Sequence, residues 1–584
     1  MREAFYISII WLINIQNVYG LNEYKNGDKI DVFVNKVGPY ANIHETYHYY
    51  SMPLCRPDNI VHKPLSLGQV LDGDRIAESQ FEIKFGQSFE VKTVCGEKKL
   101  DLKDSHRLID AIEENYYFEQ VIDDIKVRNF IGYVEETKVF PHEHAIFIYT
   151  EYRYNIISNS KNILSATLEM YRPQEIKHGE EVTLNLGYSI QWNMTQLSTE
   201  YRAREGQPLF TTRNLQIHWL SVLNSALLTV LLVLFAALII CSSVRRDLSK
   251  YNGSEFEEDD MMLMDNGWKT ISMDVFRHPP NPMLLSGILG VGTQFLVIFV
   301  AILLIGSFNV MNVHRHGLLN TLSVVLYALT SGIAGFVSSS RYRQLEGQRW
   351  ITNIYLTSFL FAGPMIASWA LSNSVSWAYG STQALPWTTV LVVLSIWLVF
   401  GFPLTILGGV LGRSVTGKYS APCRTRAIPR ELPKLTFFYS TPTYMAIGGF
   451  LSFSAICVEL YYIFSTIWGR ESYTLFYMIL IVFVLLVTVI ACVSIAITYF
   501  QLNAEDYRWW WNSVCSGGSV GLFIFFYGVY FLMAQTEMSG AVQLTEFFTH
   551  LALISYVAFL SMGAVSHYAA HWFVRYLYSN VKTD

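Results

Sequence analysis

Charge is what this chain has least of. Asp, Glu, Lys and Arg make up 15% of its 584 residues, against 52% hydrophobic and 15% aromatic. Charged residues usually supply about a quarter of a soluble chain, so a wholly water-dispersed protein of this size is excluded. The net charge of -5 is too small to attract nucleic acid or another strongly charged partner. Cysteine is scarce too. Two cysteines, Cys55 and Cys95, precede the first long apolar run. The other five, Cys241, Cys423, Cys457, Cys492 and Cys515, lie in or beside apolar runs or in a basic loop. None has zinc-like spacing, and they read as packing residues. Walker loops, dinucleotide fingerprints, nucleophile elbows and paired catalytic carboxylates are all missing. That lowers the prior for an enzyme and implies no cofactor and no metal.

What the chain has is apolar length. About nine runs approach the 17–25 residues a bilayer requires, near 218–242, 284–307, 317–339, 350–372, 388–411, 444–467, 474–500, 512–534 and 546–571. Ahead of them, IDVFVNKV, FEIKF, FEVKTVC, HAIFIYTEYRYNI and EVTLNLGYSIQW carry the β-branched, aromatic and partly alternating pattern of half-buried strands. DSHRLIDAIEENYYFEQVI reads as one helix, with Leu108, Ile109, Ile112 and Tyr116 on a face and Asp104 or Ser105 as N-cap. The fold class is an α+β multi-pass membrane protein, a β-rich lumenal domain followed by a nine-helix transmembrane bundle.

Orientation follows from loop charge. Residues 1–20 place Arg2 before an apolar core from Phe5 to Ile15, too short to span, which predicts a cleaved signal peptide. Residues 21–215 are then lumenal and residues 216–584 form the nine-span domain with a short cytosolic tail. Alternate loops should carry the Lys and Arg. Those predicted cytosolic hold Arg245, Arg246, Lys250, Lys269 and Arg277, then Arg341, Arg343 and Arg349, then six from Arg413 to Lys434, then Arg508. The lumenal loops hold only Arg315 and Arg470. In an oxidising lumen a Cys55–Cys95 disulfide is the natural pairing, which sequence does not prove. Asn193-Met194-Thr195 is a lumenal N-glycosylation sequon, whereas Asn252-Gly253-Ser254 faces the cytosol.

Several residues invite a functional reading. Glu459, inside AICVELYYIF, is an ionisable side chain at membrane depth, which must face protein or water. It is either a hydrogen-bonded structural glutamate or a proton- or client-binding group. Gly287, Gly290 and Gly292, Gly408 and Gly412, and Gly517, Gly518 and Gly521 let helix backbones approach closely. They serve packing within the bundle or docking of a partner's span. Pro364 and Pro403 predict local kinks. QLNAEDYRWWWNS reads as a tight cytosolic hairpin whose tryptophans sit at the interface. His567 and His571 close the last span. SEFEEDDMMLMD is a solvated acidic run or an adaptor-binding cluster. His44-Glu45-Thr46-Tyr47-His48 matches H-E-x-x-H, in which two histidines on a helix bind zinc beside a glutamate base. Here it follows Gly38-Pro39 and lacks a helical pattern, so a metalloenzyme is the weakest reading. Pro141-His142-Glu143-His144 reads as a surface turn, with a metal site as the weaker alternative.

VGPYANIHETYHYYSMPLC, GWKTISMDVFR, LNAEDYRWWWNS and the terminal YSNVKTD together resemble the nonaspanins, the transmembrane-nine superfamily. The resemblance runs in order over nearly the whole chain. It implies a non-enzymatic resident of Golgi and endosomal membranes that helps sort, localise or export other membrane proteins, including clients with glycine-rich spans. It also implies a C-terminal Lys-x-Asp/Glu retention signal read by coat proteins, which falls here on Lys582, Thr583 and Asp584. Expected partners are the lipid bilayer, client transmembrane proteins and coat proteins. The alternative is a small-solute or proton transporter or channel using Glu459, although no internal repeat of the kind common in transporters is visible.

Overall fold

The computed structural model describes residues 22–138, 143–197, 202, 212–213, 219–252, 267–307, 317–433, 437–469, 471–472 and 476–579. The expected signal peptide, the acidic run and Lys582 to Asp584 lie outside them.

The N-terminal part is built from strands β1 (Lys29–Pro39), β2 (Tyr47–His48), β3 (Ala77–Lys84), β4 (Phe89–Thr93), β5 (Lys98–Leu100), β6 (Tyr116–Ile122), β7 (Ile125–Phe130), β8 (Gly132–Lys138), β9 (Glu143–Ser158), β10 (Ile163–Ile176), β11 (Val182–Leu184) and β12 (Gly187–Met194). Helices α1 (Leu67–Leu71) and α2 (Leu102–Glu113) interrupt them. One sheet runs β2-β1-β6-β7 with β3 also on β1, and a second runs β10-β9-β12-β4 with β8 on β9. The two meet across an aromatic layer. Phe81 of β3 lies 5.3 Å from Tyr188 of β12, and Phe118 of β6 lies 5.4 Å from Tyr152 of β9, ring to ring. Tyr154 is fully buried and donates to Gln120 Oε1 at 2.6 Å, so its phenol leaves water without losing a partner. Cys55 and Cys95 are joined, with Cα atoms 5.9 Å apart. Asn193 is exposed on β12, where a sugar has room.

The single helix expected over residues 104–122 is corrected. The helix runs Leu102–Glu113 with Asp101 as N-cap, and Leu108, Ile109 and Ile112 are buried as the periodicity required. It ends because Asn115 turns into the left-handed region at φ 53°. The following YYFEQVI is strand β6, paired with β1 and β7. Asp123 and Asp124, both at positive φ, form the two-residue turn into β7, which matches strand twist. Tyr116 therefore belongs to a strand, not to the helix face.

Each of the nine apolar runs is helical. They are α3 (Trp219–Asn252), α4 (Pro282–Ser307), α5 (Gly317–Gln344), α6 (Trp350–Ala378), α7 (Trp387–Val415), the pair α8 (Thr441–Ser454) and α9 (Cys457–Ile467), α10 (Phe476–Asn503), α11 (Trp509–Gln535) and α12 (Ala541–Ser579). Seven are continuous and long and apolar enough to cross a membrane. The α8–α9 pair, bent by 72°, is apolar enough to make an eighth if the two helices form one span. In α3 the apolar stretch is Leu223–Phe235, and Leu232 leans on the cluster around Val489 of α10. Helix α6 continues through Pro364, while Pro403 follows a π-helical turn at Trp397–Gly401 inside α7.

Candidate functional site

The glycines seal the bundle. A Cβ on Gly290 would meet the Ala334 carbonyl of α5 at 2.5 Å, and one on Gly408 or Gly412 would overlap the backbone of Gly332 or Phe336 on the same helix. Gly292, Gly517, Gly518 and Gly521 are closed in the same way by α12. Gly287 is looser, with the nearest side-chain atom at 3.6 Å. Close backbone approach of this kind is what small residues permit in lipid. With these seams occupied by the chain's own helices, no glycine pair is left open for another protein along them.

Glu459 sits in the first turn of α9, just past the bend, with 4% of its surface exposed. The bend follows Ser454, where the helix stops and Ile456 takes a non-helical conformation. A broken helix frees backbone groups at depth, and a carboxyl is placed beside the break. A second buried glutamate was not singled out in the sequence. Glu546, near the start of α12, has its Oε2 buried without a hydrogen-bond partner among the described residues. Gln543, Glu546 and His550 recur at i, i+3 and i+7, the helical spacing that could have revealed it.

The β-rich part is fastened to this end of the bundle. The Thr382 backbone N–H donates to the Thr46 carbonyl at 2.8 Å, and the Ser381 hydroxyl donates to the same oxygen at 2.9 Å. The His44 backbone N–H donates to Gln543 Oε1 at 2.8 Å, and that of Ser539 to Asn42 Oδ1 at 2.9 Å. The segment carrying H-E-x-x-H is thus a latch. His44 to Thr46 are not helical, and Glu45 accepts hydrogen bonds from Asn42 and Tyr47. Among the described residues no three His, Cys, Asp or Glu side chains converge to hold a metal ion. Of the second histidine cluster, Glu143 and His144 are described, and His144 faces Glu113 at 3.4 Å.

At the opposite end three sequence motifs knit together. Two of the three tryptophans expected at an interface are instead buried in protein, while Trp511 stays half-exposed. Trp509 is fully buried and Trp510 nearly so, stacked 4.1 Å apart, with Trp509 5.7 Å from the His567 ring. The indole N–H groups of Trp509 and Trp511 donate to the carbonyls of Val275 and Pro280 at 2.9 and 2.7 Å. The tryptophans enter the bundle because the 267–277 segment folds over them and supplies Ile271, Val275 and Phe276 as a lid. Tyr578 donates to the Trp268 carbonyl at 2.5 Å and pins the end of α12 there. Asp506 is buried and satisfied by the Arg508 backbone N–H and guanidinium, and Arg430 pairs with Glu505 at 2.8 Å. The space left among Arg341, Tyr419, Trp510, His567 and His571 is about 10 Å³, room for one water at most. This knot is a cap, not a ligand cavity. It also gathers the basic loops, since Arg277 reaches the Arg426 carbonyl and Arg343 the Arg413 carbonyl.

Comparison with known proteins agrees with these motifs. The family model described as Endomembrane protein 70 matches residues 46–541. The chain is 48% identical over 578 residues to a Mus musculus protein named "Transmembrane 9 superfamily member 1", covering 97% of this chain and 95% of that one. It is 39% identical to "Transmembrane 9 superfamily member 3" of Arabidopsis thaliana, over 96% and 95% of the two chains. It is 38% identical to "Putative phagocytic receptor 1b" of Dictyostelium discoideum, over 99% and 98%.

Proposed function

We propose a role that starts from membership: the chain belongs to the Endomembrane protein 70 family of transmembrane 9 superfamily proteins, and acts as a non-enzymatic sorting factor that helps localise or export other membrane proteins. Its β-rich part would lie in the lumen of Golgi and endosomal compartments and its C-terminus in the cytosol. The observation that carries this reading is the two-ended architecture. The β-rich part with its disulfide is latched to one end of the bundle, and the Lys- and Arg-bearing loops converge at the other. Cytosolic loops collect positive charge, so both features point the same way. The phagocytic-receptor name of the Dictyostelium relative fits a protein that governs what reaches a cell surface. Glycine-rich client spans would have to dock on outward faces, because the seams described above are filled. Surface biotinylation of cells lacking the protein tests this. A subset of multi-pass proteins should leave the surface and return on re-expression, and an unchanged surface composition would refute the role.

One observation favours a second reading, transport. Broken helices with buried carboxyls line many transporter pathways, and the bend beside Glu459 has that form. In liposomes, Glu459→Gln should leave proton flux at the background of protein-free vesicles if sorting is the function, as should the unsubstituted protein. A wild-type flux that the substitution abolishes would establish transport instead.

A further inference from the structure

The β-rich part holds a cavity of about 250 Å³ beside the latch. Four basic side chains line it: His48 of β2, Arg56 and His62 of the following loop, and Arg75 just before β3. Ser51 also lines it, and its hydroxyl is buried without a hydrogen-bond partner among the described residues. Behind this wall Asn35 donates to Asp74 and Glu119 at 2.8 and 2.6 Å. Those carboxylates are shared with three further cations. Lys36 and Lys126 lie 3.3 and 3.1 Å from Asp74, Lys126 and Arg128 lie 3.1 and 2.6 Å from Glu119, and Asp72 is 3.9 Å from Lys126. Three cations balance three carboxylates, which leaves Arg56 and Arg75 in excess. Burial, and then the charges of Arg75 and His62, press the His48 pKa below its usual value. The cavity thus crowds positive groups that an anion would reconcile.

Its position narrows the anion. Arg75 donates to the Ala384 carbonyl at 2.7 Å, in the loop joining α6 and α7. That loop is flanked by exposed Trp377, Tyr379 and Trp387, and exposed aromatics of this kind mark the headgroup level of a bilayer. Helix α7, which starts at that loop, buries only Thr389 of its first ten residues, so exposed apolar surface begins at the loop that Arg75 reaches. We propose that this cavity binds the phosphate of an anionic lipid headgroup, with the acyl chains lying along the exposed flank of α6 and α7. The exposed Arg56 fork suits phosphate oxygens, Arg75, whose terminal nitrogens donate to the Asp74 and Ala384 carbonyls, adds its charge, and the Ser51 hydroxyl supplies a neutral donor. The inference does not depend on the sorting role.

The test uses the full-length protein in neutral detergent, with dioctanoyl phosphatidic acid, dioctanoylglycerol and glycerol 3-phosphate as probes in a binding titration. Arg56 and His62 are both exposed, so an Arg56→Gln/His62→Gln variant should remain folded, which gel filtration checks. The phosphatidic acid should bind, and the double variant should weaken it by about tenfold or more, the loss expected for removed charge-assisted bonds. Arg56→Lys should retain most of the affinity. Dioctanoylglycerol and glycerol 3-phosphate should each bind at least about tenfold more weakly, since one lacks the charge and the other the chains. Equal binding of glycerol 3-phosphate would overturn the lipid assignment. Binding untouched by the double variant, or no phosphatidic acid binding, would overturn the site.

Discussion

Gly408→Leu should abolish the folded bundle. The seam between α5 and α7 brings backbone against backbone, with Gly332, Gly335 and Phe336 on one helix and Thr405, Gly408 and Gly412 on the other. A leucine at 408 has no rotamer that avoids the Gly332 carbonyl, so the helices must separate. Gly412 and Gly335 would then lose their close contacts as well. Overpacking a tight core costs up to about 3 kcal/mol where neighbours can shift and more where they cannot, and here the obstacle is a backbone carbonyl. Fluorescence-detected gel filtration should show the monodisperse peak replaced by aggregate. Gly287→Ala is the control, since its Cβ would find ordinary contact with Leu360 at 3.6 Å, and its profile should match the parent. A normal profile for Gly408→Leu would mean that the α5–α7 seam is not packed as described.

The second large effect concerns address rather than folding. Tyr578, bonded to the Trp268 carbonyl, holds the end of α12 against the basic end of the bundle. The residues that follow, Lys582 to Asp584, then start from the side proposed to be cytosolic. Under the proposed sorting role a coat protein would read the Lys582 ammonium and the Asp584 carboxylate together, a charge pattern whose bonds are strongest when both partners are ionised. Lys582→Ala with Asp584→Ala removes both. Quantitative imaging should show the Golgi-resident fraction falling several-fold, with the protein moving toward the surface or lysosomes, while gel filtration stays unchanged. Unaltered residence would mean that the address lies elsewhere in the chain.

Much of the fold was legible because its signals are local. Apolar length gave the helices, and the 3.6 spacing of Leu108, Ile109 and Ile112 gave α2. The same spacing misled at Tyr116, where the helical pattern continues by coincidence and a left-handed Asn115 ends the helix. The break between α8 and α9, at Ala455 and Ile456, contains no proline or glycine, so no helix-breaking residue in the sequence marks it. Amphipathic rings favour an interface, yet Trp509 and Trp510 are buried. Their burial depends on a segment more than 200 residues earlier closing over them, which no window on the sequence contains. The glycines were ambiguous for a related reason. Small residues permit close approach, but only the neighbouring helix shows whether the approach has already been made.

The proposed sorting role requires that the two ends of the protein face different compartments. Protease protection on intact Golgi-derived vesicles tests that most directly, using one epitope after Asp584 and a second inserted in the exposed segment near Asn193. The account predicts that added protease removes the C-terminal epitope at once and the Asn193 epitope only after detergent. Protection of the C-terminal epitope, or immediate loss of the one near Asn193, would contradict it.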